Sequence, residues 1–139
     1  MIEAFSTGFY NKLKSNATLQ TKLGGTALDS KIYNTFAKQD AVLPYITFGL
    51  LSDVPMADFA DPATIEDMTF YLNVFSAKSP EETLEIADLV KAAMDNQVLT
   101  IAGYTTMRCM REYTGSVIWN ADTKVFQISM RYRVQGCKT

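Results

Sequence analysis

Between Ile65 and Asn96 a strand pattern gives way to a helix pattern at a marked helix start, and this junction constrains the fold more than any other stretch. Met68, Phe70, Leu72 and Val74 alternate with Thr69, Tyr71, Asn73 and Phe75. That is period two, the spacing of a strand with one face on a core. Ser79-Pro80-Glu81-Glu82 then supplies an N-cap serine, a proline at the first helical position and a glutamate three residues after the cap. A helix over 80–95 is predicted. Ile86, Ala87, Val90, Ala93 and Met94 fall on its one apolar face, with acidic residues near its start and Lys91 nearer its end, which suits the helix dipole. Such a unit builds a core and brings no reactive group into a cleft.

Ile2, Phe5, Phe9 and Leu13 recur at spacings of three and four and predict an N-terminal helix with one apolar stripe. Asn16 is placed to cap a second short turn carrying Leu19 and Leu23, which Gly24-Gly25 ends. Short strands are expected at 32–36 and 43–50, with Pro44 at a strand start or on an edge because it cannot donate to a ladder. The composition of 52–64, with Pro55, Asp58, Asp61 and Pro62, reads as a long loop. Residues 104–113 read as a strand of untidy alternation, and Val117-Ile118-Trp119 lies between two turn signals. The cleanest alternation comes last: Phe126, Ile128, Met130, Tyr132 and Val134 against Val125, Gln127, Ser129, Arg131 and Arg133.

Consecutive strands with helices grouped around them predict an α+β fold. The expected architecture is a mainly antiparallel sheet of four to five strands, with the N-terminal and central helices packed on one face. With 139 residues, 47% of them hydrophobic, the whole chain 1–139 is read as one domain able to support its own core. Its second sheet face would show Thr69, Tyr71, Gln127, Ser129, Arg131 and Arg133, a mixed polar and aromatic surface.

Several function classes fit poorly. A net charge of −2 argues against a nucleic-acid grip, which needs clustered positive charge. No apolar run approaches the ~20 residues that span a bilayer, so no membrane partner is expected. The start, Met1-Ile2-Glu3-Ala4-Phe5, lacks the basic and apolar blocks of a secretory signal. The chain has no histidine, the usual base beside a serine or cysteine nucleophile. Cys109 and Cys137 form neither a disulfide framework nor a zinc pattern, and Cys109 reads as a small core residue in a reducing compartment. Gly24-Gly25 reads as a helix C-cap and not as a phosphate loop. Asp58, Asp61, Glu66 and Asp67 read as solvated loop and strand-start acids. No catalytic residue, metal or cofactor is expected. The residues themselves favour a binding or assembly module, with Asp58, Phe59, Asp61, Tyr71, Trp119, Arg131 and Arg133 as candidate interface positions.

Five segments then recur together in one family. They are Leu43-Pro44-Tyr45-Ile46, the strand end Leu72-Asn73-Val74-Phe75-Ser76, the alanine-bearing helix to Met94, Leu99-Thr100-Ile101-Ala102-Gly103, and the strand Phe126 to Val134. In that order and spacing the chain resembles the tail-completion proteins of long-tailed bacteriophages, also called tail terminators or head–tail joining proteins, with relatives in prophages and gene transfer agents. The resemblance implies a structural virion protein of the neck, made in the host cytoplasm. Copies would form a ring, commonly of six, that ends the tail tube and joins it to the head. Its partners would be the major tail tube protein and a head-side neck protein. DNA would pass through the channel without sequence-specific binding, and a lightly acidic wall would let it slide. The alternative from the residues is a small α+β ligand-binding domain or enzyme using the polar sheet face, which requires a pocket of convergent polar groups under Tyr71 and Arg131.

Overall fold

The computed structural model describes residues 2–25, 30–56, 65–106 and 108–138. In chain order its elements are helices α1 (Ile2–Lys14) and α2 (Ala17–Leu23), strands β1 (Ile32–Asn34), β2 (Tyr45–Met56) and β3 (Ile65–Ser76), and helix α3 (Pro80–Met94). Strands β4 (Gln97–Val98), β5 (Tyr104–Thr106), β6 (Arg108–Thr114), β7 (Ile118–Asn120) and β8 (Val125–Lys138) follow. The sheet runs β1-β2-β3-β8-β6-β4, and β5 and β7 also pair with β8, in line with β6. Among the described residues only β1 and β2 run parallel. The fold is α+β and mainly antiparallel, but its eight strands exceed the four or five expected. The excess, β4, β5 and β7, consists of pieces two or three residues long, too short to show a period in sequence.

The central pair is β3 against β8, in unbroken register from Ile65 opposite Cys137 to Ser76 opposite Phe126. Burial alternates along all of β3, as its sequence dictates. Met68, Phe70, Leu72 and Val74 turn to the helices together with Ile128, Met130, Tyr132 and Val134. Helix α1 lays Phe5, Phe9 and Leu13 on this row, and Phe9 stacks on Phe70 at 4.7 Å. Ile2, expected in the same stripe, is 48% exposed because the stripe overruns the edge of the core. Helix α3 adds Ile86, Ala87, Val90, Ala93 and Met94.

Local chemistry sets the helix ends. Asn16 Oδ1 accepts from the Leu19 amide at 2.9 Å, and Gly24 ends α2 in the left-handed region at φ 79°. Ser79 Oγ accepts from the Glu82 amide at 3.1 Å. The Glu82 carboxylate accepts from Ser76 Oγ at 2.8 Å, which ties the start of α3 to the end of β3.

Of the stretch expected as a loop over 52–64, residues 52–56 are strand as far as Met56 and 57–64 fall outside the described residues. Its serine, aspartate and proline are tolerated because, among the described residues, β1 covers only Ile46 to Phe48 and no other strand pairs with that edge of β2. A register shift between Leu50 and Ser52 turns Asp53 toward the helix side, opposite Met68. The untidy strand at 104–113 resolves into β5 and β6, and a second shift between Arg111 and Tyr113 explains its broken alternation. Arg111 thereby lies on the helix side, opposite Tyr132, while Met110 lies opposite Arg133 on the outer side.

Candidate functional site

The outer face of the sheet gathers three of the candidate residues by register. Tyr71 stands opposite Arg131, and Thr69 opposite Arg133. Tyr71 also stands opposite Gly49, where a Cβ would come within 2.5 Å of its hydroxyl, so glycine gives the ring its room. The Arg131 guanidinium rests 6.0 Å from the Tyr113 ring centre. Arg133 grips Asp67 with two nitrogens, with Nε 2.8 Å and 2.9 Å from the two carboxylate oxygens and Nη2 closer still to Oδ2. This pair raises the Arg133 pKa. Asn73 Oδ1 accepts from Ser129 Oγ at 2.6 Å and from Gln127 Nε2 at 3.2 Å.

The other candidates lie elsewhere. Trp119 pairs with Phe126, ring centres 4.5 Å apart, in the row that faces the helices, so it does not share the face of Tyr71. It is half exposed. Asp58, Phe59 and Asp61 fall outside the described residues.

A pocket of convergent polar groups was the requirement of a ligand site under Tyr71 and Arg131. The polar side chains on this face instead bond to one another: carboxamide to hydroxyl, guanidinium to carboxylate, cation to ring. A shallow recess of about 270 Å³ lies to one side, lined by Arg108, Met110, Arg133 and Gln135. Another of about 200 Å³ is lined by Tyr45, Phe75, Asn120, Thr123, Val125 and Gln127. Among the described residues no group of three or more Cys, Asp or Glu is placed to hold a metal ion, and no helix is long and apolar enough to cross a membrane.

Two acidic sites were not anticipated. Glu66, read as solvated, is 8% exposed and hydrogen-bonded to Asp53. That bond, then burial, then the neighbouring charge raise its pKa. The signal was present, since Glu66 is in phase with Met68 and Phe70 along β3. Asp95, at the end of α3, accepts from the buried Tyr132 hydroxyl at 2.8 Å and from Arg111 Nε at 3.1 Å. Burial, reinforced by that bond, pushes the Tyr132 phenol well above its usual range. Burial likewise pushes the Cys109 thiol up to about 12, which suits an inert core residue.

A one-sheet scaffold whose outer polar side chains bond to one another defines a class of α+β domains. Within that class the chain belongs to the family of tail completion protein gp17, whose model matches residues 8–135. No curated protein matches it. Among solved structures it is similar to a chain of the virion of a native gene transfer agent particle, with 13% identity, a TM-score of 0.77, and coverage of 93% of this chain and 91% of that one. It is also similar to the gp17 protein of bacteriophage SPP1, with 18% identity, a TM-score of 0.62, and coverage of 95% and 88%. At these identities the two structures establish the shared fold.

Proposed function

We propose that this chain is a structural subunit of a phage-type virion neck. Copies join head to tail into a hexameric ring that ends the tail tube at its head-proximal end and joins it to the head. The ring contacts the major tail tube protein on one side and a head-side neck protein on the other. DNA passes through its channel without base readout, past subunits that each carry a net charge of −2. The chain performs no reaction, and its place is the finished virion after assembly in the host cytoplasm. Membership of the tail completion family across 8–135 carries this reading.

The outer face supports it physically. Its polar groups are tied to one another, so it is a stiff, patterned surface suited to repeated docking. We assign Tyr71, Arg131 and Arg133 to contacts between ring neighbours or with the tube, together with Trp119 and with Asp58, Phe59 and Asp61. The test is deletion of the gene followed by electron microscopy of the particles. The expected outcome is filled heads and separate tails of uncontrolled length. Virions that join head to tail normally without the chain would refute it.

A further inference from the structure

The last five residues of β2, Ser52 to Met56, form an arm with one bonding side. Among the described residues this arm pairs with β3 alone, because β1 reaches only Ile46 to Phe48. Its partners on β3, Ile65 to Thr69, are held from the other side as well, by Arg133 to Cys137 of β8. The register shift between Leu50 and Ser52 breaks the ladder where the arm begins, and Pro55 within it has no amide proton to donate. The arm therefore has a hinge at its root and few backbone bonds beyond it, which suits a segment that opens locally.

Two acids lie on the inner side of this arm. Asp53 stands opposite Met68, and Glu66 comes two residues before Met68 on the same side of β3, so the two carboxyls are diagonal neighbours across the strand pair. Glu66 is buried and hydrogen-bonded to Asp53, and Asp53 Oδ1 is buried without a hydrogen-bond partner. Two carboxylates hold no donor between them, so a hydrogen bond that joins them requires a proton on one. Ionising both would set two like charges side by side at a site with little water.

We infer that this shared proton is a latch: while the pair holds it the arm lies on β3, and when it passes to solvent the arm swings out at the register shift. Repulsion moves the arm and not its partner, because residues 65–69 of β3 are paired on both edges. Opposite Glu66 stand Pro55 on β2 and Gly136 on β8, and Thr106 of β5 lies beyond Gly136, all uncharged. Phe5 of α1 packs on Gly136 from the helix side, and Glu3, in the first turn of α1, is exposed. Asp67 faces outward and is held by Arg133, and Lys138 stands two residues beyond Gly136 on β8. The hydrogen bond to Asp53, then burial, then the Asp53 charge raise the Glu66 pKa, so the latch opens above the ordinary carboxyl range. It acts within one subunit, whatever the number of copies in the neck.

The test follows amide exchange of the full chain by mass spectrometry from pH 5 to pH 8, corrected for the intrinsic rate at each pH. Carbon-13 NMR titrates the Glu66 carboxyl alongside. In the wild type, residues 52–56 are expected to lose at least about tenfold in protection across that range, the change that one unit of pKa difference between closed and open arm supplies. Phe70 to Val74, at the centre of β3, are expected to keep theirs. Glu66→Gln carries a donor to Asp53 at every pH, so its arm is expected to stay as protected at pH 8 as at pH 5. Asp53→Asn removes the neighbouring charge; it is expected to flatten the profile too and to bring the Glu66 titration down, which keeps the latch testable should the first variant fold poorly. Equal protection of the wild-type arm at pH 5 and pH 8 would overturn the inference, as would the same loss in Glu66→Gln. A loss that runs equally through residues 70–74 would show the whole sheet opening and would overturn it as well.

Discussion

Replacing Gly136 by alanine separates two physical expectations of opposite sign. Gly136 lies inside β8, paired with Glu66 of β3 on one side and Thr106 of β5 on the other. In a strand interior, alanine is ordinarily the better residue by roughly 0.5–1 kcal/mol, because glycine loses more chain entropy on folding. Here, however, a Cβ would clash with Cζ at the tip of the Phe5 ring, and that ring is fully buried and braced edge-on by Tyr104 at 5.2 Å. Overpacking of this kind costs about 1–3 kcal/mol. The net expectation is a loss of about 1–2 kcal/mol, or about 3–10 °C in Tm for a chain of this size. Urea unfolding of Gly136→Ala, Phe5→Leu and the double variant measures it. The smaller side chain at position 5 should recover part of the loss, so the double variant should cost less than the two singles added. A Gly136→Ala protein as stable as wild type, or strictly additive losses, would refute the packing of α1 onto this end of β8.

Tyr132→Phe removes the donor to Asp95 while keeping the buried ring, and should cost about 1–2 kcal/mol in urea unfolding; a change within 0.3 kcal/mol would show that the contact contributes nothing. Ser79→Ala should cost about 1 kcal/mol through the cap of α3, with fraying visible as faster amide exchange at Glu82 and Thr83. Glu66 has a folded pKa above its unfolded value, so the folded state holds the proton more tightly. Its contribution to stability is therefore present at low pH and lost as pH rises from the ordinary carboxyl range through the raised value. Glu66→Gln should flatten Tm across that window and leave the variant the more stable protein at pH 7. An unchanged slope between pH 4 and pH 8 would count against the Asp53–Glu66 bond.

Long, regular elements were readable because their periods agree with their burial. The alternation of β3 and β8 and the cap of α3 placed the centre of the fold directly. The margins were harder for a physical reason. Strands of two or three residues carry no period, and β2 reads as a loop from Ser52 because its edge position tolerates proline and charge. The shift beside Leu51 also reverses which residues face inward, and no local pattern announces it. Of the candidate residues, Tyr71, Arg131 and Arg133 share a face because their strands alternate cleanly. Trp119 could not be placed from a run as short as β7. The partners that hold these groups, Asp67 for Arg133 and Asp95 for Tyr132, are 66 and 37 residues distant in sequence and meet only through the fold.

Electron cryomicroscopy of virions that contain this chain tests its role as an assembly subunit most directly. A single closed ring of copies around an open channel, at the end of the tail tube nearest the head, is the predicted result. Particles in which the chain is absent from the neck, or repeats in layers along the tube, would contradict it.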